Sequence, residues 1–411
     1  MVDALHYYSD KIAVQSFRVL LITTIIFPTG SIYGLNYKAA LIGVLLVVGL
    51  NHLFNAKKEV IASSIILMIS LISGVVGIVK GVSPLAFSSQ LMAIGSVLVI
   101  FSIGSYYANT EMYGLVKFAD DIIKYSAIYS LIKLIIVIGV LIQAFSIFEI
   151  QAILFHIFGY NFITLDAGYF FRIHLPNDYF LPLAIILFLL RKMKGDWNSR
   201  IIIALIIVGA VISYSRLIYV FMLIIFLVKF AMYLKKSKKN IFDHLTNILV
   251  ILVAVGALFF ANEFFVMRFS GEYADDSDAL RVTMKNGLLN LYQENLFFGS
   301  GLGSNIPGLI RLENNPWYYE LQWLSLLAQF GSLLFPFILL IAIYPILFVV
   351  TQKISVQKLL VLIGYILWLG ANYFNGFMLT SAGGFIFLGF YLLLTTSRSG
   401  FKIYTATKNN S

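Results

Sequence analysis

Residues 268–285 read R-F-S-G-E-Y-A-D-D-S-D-A-L-R-V-T-M-K, residues 297–304 read F-F-G-S-G-L-G-S, and residues 314–323 read N-N-P-W-Y-Y-E-L-Q-W. This polar stretch of about fifty residues interrupts a chain that is otherwise almost wholly apolar. Between Phe269 and Glu320 it carries three cations, several carboxylates and three closely spaced glycines, flanked by long hydrophobic runs. A segment of this kind leaves the hydrocarbon and returns to it, which makes the rest of the chain a set of membrane-crossing helices. Its chemistry reads as a lid and one half of a site that acts on a substrate held at the membrane face.

Composition agrees. The 411 residues are 60% hydrophobic and only 12% charged, with a mean hydropathy of +0.91, so a soluble fold of this length is excluded. The sequence predicts an all-α polytopic membrane protein, one domain over residues 1–411, with about twelve spans. These are roughly 17–35, 38–55, 60–79, 84–107, 125–148, 179–191, 200–215, 217–234, 245–265, 320–350, 357–377 and 379–396. Two larger outer loops are expected, about 149–178 and 266–319, with a modest inner one at 109–124. The first apolar run lacks a small-residue cleavage site and reads as a span, not a signal peptide. Without cysteine, disulfides and thiolate chemistry are excluded.

Nineteen of the twenty-nine Lys and Arg fall on one set of loops, including Lys57, Lys58, Lys192, Lys194 and the 235–239 run K-K-S-K-K. That side is expected to be cytoplasmic, with both termini on it. The net charge of +10 is then mostly a rim facing anionic lipid. No soluble basic domain is present to carry nucleic-acid binding. Lys133 and Lys229 fall within spans.

Several residues can carry chemistry. Arg172, in G-Y-F-F-R-I-H-L-P-N-D-Y, returns the first outer loop to the membrane; it either reaches lipid headgroups or turns inward to hold an anion. Arg216, in I-S-Y-S-R-L, stands between two apolar runs with almost no loop. It is a helix-end cap or a second phosphate ligand. Arg281 and Lys285 are four apart and share a helix face, with Ser277 and Asp278 as capping residues before it. This amphipathic segment contacts lipid or aims its cations at a diphosphate. Gly299, Gly301 and Gly303 either let backbone amides approach an anion or let a loop fold tightly. Glu320 opens a span where an aromatic belt meets hydrocarbon. It is a general base or a first-turn helix stabiliser, and His174 is the other base candidate. Asp275, Asp276 and Asp278 read as a solvated acidic loop, and no metal site is assigned.

The order of these pieces, from about Tyr169 to Gly331, resembles the O-antigen polymerase (Wzy) and O-antigen ligase superfamily. The resemblance rests on an outer-loop arginine before a span (Arg172), Ser215-Arg216 at a tight hairpin, and an amphipathic helix from Arg281 leading to Gly299-x-Gly301. It ends on E-L-Q-W-L-S-L-L-A-Q-F-G from Glu320 to Gly331. Ligases of this superfamily usually carry a histidine near the start of that late span. This chain has Glu320 there and no histidine after His244, which leans toward polymerase. The resemblance implies a GT-C-like inverting glycosyltransferase without a cofactor. Its donor would be an undecaprenyl-diphosphate-linked oligosaccharide, and its acceptor the sugar hydroxyl of a lipid-linked repeat unit. A chain-length regulator and a flippase of the same pathway are the further partners implied. A flippase is the competing reading from another class, but it would line a central cavity with intramembrane cations. Here the polar residues gather in two outer loops.

Overall fold

The computed structural model describes residues 2–53, 56–108, 110, 113–158, 163–167, 170–173, 175–191, 197–213, 215–236, 272–310, 315–352, 354–374 and 376–396. The first helices are α1 (Val2–Ile26), α2 (Tyr37–Leu53), α3 (Lys57–Val79), α4 (Pro84–Ala108), α5 (Gly114–Leu141) and α6 (Ile147–Phe158). A hairpin follows, β1 (Ile163–Ala167) and β2 (Phe170–Ile173), then a 3₁₀ turn (Pro176–Tyr179), α7 (Phe180–Leu190), α8 (Trp197–Ile212) and α9 (Arg216–Lys236). The last described helices are α10 (Glu272–Gln293), α11 (Gln322–Val350), α12 (Val356–Phe374) and α13 (Ser381–Thr395).

The fold is helical and polytopic, as expected. Among the described residues five helices are long and apolar enough to cross a membrane: α3, α4, α5, α11 and α12. Shorter apolar helices accompany them, including α7, α8 and α13. The expected span at 245–265 lies outside the described residues.

One expectation needs correcting, and the structure adds detail to another. The span placed at 125–148 begins earlier, at Gly114, so most of the expected inner loop at 109–124 is helix. Asp120 and Asp121 broke the apolar pattern there, but both are ion-paired: Arg18 meets Asp121 through two bonds of 2.7 and 2.9 Å, and Arg191 meets Asp120. The segment read as an outer loop at 149–178 carries regular structure of its own. It contains α6, whose Phe148, Ile153 and Phe155 are exposed, fitting a twelve-residue apolar helix lying at an interface. It also contains the antiparallel hairpin, which pairs Leu165 with Arg172 and is the small exception to an all-α fold.

Local chemistry sets the helix ends. Ser83 caps α4 by accepting the Ala86 amide at 3.1 Å, with Pro84 at the first helical position, where its missing amide costs nothing. Proline at 28 stops α1. Two side chains from elsewhere take carbonyls at that end: Asn177 Nδ2 donates to Ile25 O at 3.0 Å, and Lys38 Nζ to Phe27 O at 3.1 Å. In lipid these groups have no water to turn to, so the caps also join α1 to α2 and to the 3₁₀ turn.

The core gathers around α7, whose residues from Phe180 to Leu187 are all buried. A helix apolar on every side belongs inside the bundle. Around it, Phe17 of α1 meets the rings of Tyr107, Tyr113, Phe118 and Phe385 at 5.4–6.2 Å. Phe17→Ala is expected to cost about 3–5 kcal/mol, read as a lower denaturation midpoint of the detergent-solubilised protein. A midpoint like the wild type's would show that this aromatic cluster does not set stability.

Candidate functional site

The break in α11 builds the site. Gly331 has φ 67° and ψ −180°, a conformation that favours glycine. The segment after α10 fills the gap this opens. Ser332 and Leu333 donate to Leu296 O and Phe297 O at 2.8 and 3.0 Å, and the amides of Ser300 and Gly301 donate to Ala328 O and Gln329 O at 2.8 and 3.0 Å. Backbone polarity freed by the break is thereby satisfied within the protein, as a membrane-embedded break requires.

The three glycines of G-S-G-L-G have φ of 73°, 95° and 88°. A Cβ on Gly299 would lie 2.3 Å from Gln329 O; on Gly301, 2.1 Å from Gly77 Cα of α3; on Gly303, 2.6 Å from Phe87 N of α4. The motif is therefore a wedge between α3, α4 and α11. Its amides are already used. Leu302 donates to Ser73 O at 3.1 Å and Gly303 to Gln90 Oε1 at 2.6 Å, while Gly299 and Ser304 donate to Asn295 O and Gly301 O. Of the two sequence readings, tight folding is the one realised, because every amide from 299 to 304 has an internal acceptor. Gln90 Nε2 also donates to Gln329 Oε1 at 2.6 Å, and Lys80 Nζ holds Asn295 Oδ1 and Gly299 O at 2.6 and 2.7 Å.

Helix α10 approaches this wedge with one face buried. Met284 and Leu288 pack with Ile306, Tyr319, Leu321 and Ala328. The Tyr319 hydroxyl accepts the Ile306 amide at 2.6 Å and donates to Leu309 O at 2.9 Å. Burial pushes its phenol above the ordinary value, so it remains a donor. The amphipathic helix of the sequence reading is thus docked on protein along its apolar face.

The polar side of α10 meets Glu320. Arg281 Nε donates to Glu320 Oε2 at 3.1 Å, and Arg281 Nη1 to Asp278 Oδ1 at 2.9 Å. The Arg281 and Glu320 side chains are each about a quarter exposed, and Asp278 is more than half exposed. Lys285 stands one turn further along α10 and is exposed. Glu320 lies two residues before α11 begins, beside the positive end of that helix.

The remaining residues are placed in part. Arg172 is on β2 opposite Leu165, and Arg216 is the first residue of α9, after the buried Ser215. The structure describes their backbones but not their side chains. His174 lies outside the described residues. Sequence reasoning missed two features. One is the Gln90–Gln329 pair that locks the glycine wedge. The other is a buried ion pair of Lys133 and Asp178 at 2.7 Å, signalled by a lone lysine within an apolar span.

Residues 201–339 match the family model described as O-antigen ligase, and no curated protein matches the chain. The match runs from α8 through α10 and the glycine wedge into α11, and supports membership of the O-antigen ligase and polymerase superfamily. Its members are glycosyltransferase-like enzymes of lipopolysaccharide-related synthesis that act on lipid-linked oligosaccharides.

Substituting the wedge should separate strain from packing. Gly301→Ala and Gly308→Ala both place a side chain at positive φ, but only Gly301 faces backbone within 3 Å. Gly301→Ala is expected to be less stable than Gly308→Ala by about 1–3 kcal/mol, the cost of overpacking, in denaturation of the solubilised protein. Equal stability of the two would mean that the wedge does not bear on α3.

Proposed function

We propose that the protein is a polysaccharide polymerase of the cytoplasmic membrane, of O-antigen or capsule type. It transfers glycan from an undecaprenyl-diphosphate donor to the sugar hydroxyl of a lipid-linked repeat unit, at the outer face of the cytoplasmic membrane and with both termini in the cytoplasm. The observation that carries this reading is the Arg281–Glu320 pair. A part-exposed ion pair of this kind contributes about 0–1 kcal/mol, so a diphosphate, with more charge and bidentate geometry, can displace the carboxylate from the guanidinium.

In this mechanism Arg281, with Lys285, Arg172 and Arg216, holds the donor diphosphate and stabilises charge growing on its bridging oxygen. The released Glu320 accepts the proton of the acceptor hydroxyl, with His174 the other candidate for that role. The acceptor oxygen attacks the anomeric carbon from the face opposite the diphosphate. The new C–O bond forms as the C–O bond to phosphate breaks, anomeric configuration inverts, and undecaprenyl diphosphate leaves. No cofactor takes part. Holding both lipid-linked substrates in one membrane face makes the encounter effectively intramolecular. A flippase delivering the substrate and a chain-length regulator are the partners this reading implies.

The description of the matching family model favours a second reading, an O-antigen ligase. The acceptor separates the two. In liposomes containing purified protein and a defined lipid-linked repeat unit, a polymerase lengthens the lipid-linked glycan. A ligase consumes it only when a lipid A-core acceptor is added. Movement of the substrate between leaflets without elongation would instead identify a flippase.

Within the polymerase reading, Glu320→Gln is expected to lower turnover about 10²–10⁴-fold, as loss of a general base does, with protein still in the membrane. Turnover close to wild type would transfer the role to His174 or dispense with a protein base. Arg172→Ala and Arg281→Ala should each abolish elongation, with lysine at either position rescuing incompletely because a point charge lacks the guanidinium fork. Full elongation by both alanine variants would leave these residues as lipid anchors.

A further inference from the structure

Helix α5 carries Lys133 eight residues before its end at Leu141, about 12 Å along the axis. Its side chain is 2% exposed, and that of Asp178 is fully buried. Lys133 Nζ donates to Asp178 Oδ1 at 2.7 Å, and Tyr129 OH, one turn earlier on α5, donates to the same oxygen at 2.8 Å. The other oxygen, Oδ2, accepts the Leu175 amide at 3.0 Å. One carboxylate therefore ties α5 to the 3₁₀ turn and closes that turn on itself. The neighbouring Asn177 fixes the same turn to the end of α1.

Stability alone gives no reason for this arrangement. Removing two charges from water costs about as much as their attraction returns, and a well-packed apolar pair holds helices equally well. Charge inside a membrane helix is expensive and marks function. An apolar pair lacks one property of Asp178, its second oxygen, which sets the direction of the chain where it leaves the hairpin. Leu175 is three residues beyond Arg172, at most about 10 Å of extended chain. Fixing the Leu175 amide thus limits where β2, and the Arg172 on it, can stand.

We propose that Lys133 and Asp178 form a positioning latch that holds the β1–β2 hairpin so that Arg172 meets the donor diphosphate. The two residues touch no substrate. The inference rests on the reading of Arg172 given under Proposed function, and adds the elements that place it.

The absence of cysteine lets spin labels be placed uniquely in the full chain. Ala167→Cys marks the hairpin and Ile142→Cys the exposed position after α5. Electron–electron distance measurements and elongation assays are made in liposomes on two backgrounds. In Lys133→Met with Asp178→Leu the charges are removed together. In Lys133→Asp with Asp178→Lys the ion pair is kept, but residue 178 can no longer accept the Leu175 amide. Both double variants are expected to accumulate in the membrane, to broaden the narrow wild-type distance distribution, and to lower kcat/KM for the donor about 10²-fold, as misplacement of a binding group by an ångström does.

A narrow distribution with wild-type turnover in either variant would overturn the latch. So would wild-type turnover with a broadened distribution, since the hairpin's place would then not matter to the reaction. Failure of both variants to accumulate would make the pair a folding element and overturn it too. Wild-type protein that elongates no glycan, while the distances behave as expected, would count against the polymerase reading and leave the latch standing as a device that holds the hairpin.

Discussion

The chain that follows α10 enters the break in α11 and exchanges backbone hydrogen bonds with both sides of it. Much of the candidate site depends on that interleaving. An open helix break in hydrocarbon would leave carbonyls and amides without partners. The segment 296–301 supplies them, and its glycines let it come close enough to do so. Once the wedge is seated, the first turns of α11 and the helix leading into the wedge have fixed neighbours. Arg281 on α10 and Glu320 before α11 then meet at 3.1 Å.

The same rule recurs across the fold. At several described departures from regular helix, side chains from distant elements also satisfy backbone groups. Asn177 and Lys38 take carbonyls at the end of α1, Gln90 takes the Gly303 amide, and Lys80 holds Gly299 O. In water such groups would turn to solvent. Here each cap also fastens one element to another, so local satisfaction and tertiary organisation are one event.

The site consequently has a rigid part and an exchangeable part. The wedge and its glutamine lock are buried, and every amide from 299 to 304 has an acceptor. The ion pair at the rim is part exposed, and a charged ligand can compete for either member. This division suits a surface where a large lipid-linked substrate must bind, react and leave: the backbone frame holds its place while the charged side chains change partners.

The membrane class, the position of the long polar stretch and the helical character of the segment carrying Arg281 and Lys285 are all legible in the order of the residues. Each follows from local composition and period: long apolar runs, an interruption, and cations four residues apart. The same order puts Arg281, the glycines and Glu320 in one region. Tertiary structure alone decided that Arg281 would pair with Glu320, 39 residues away, and that Lys133 would pair with Asp178, 45 residues away. Only the fold could choose between an anion cradle and a wedge for the three glycines. Both need the same backbone freedom, and the difference lies in which helices face them. The inner loop read at 109–124 was mistaken for a related reason. Its carboxylates look solvated in sequence, but arginines from α1 and from the end of α7 neutralise them, and no local pattern records where a distant partner will stand.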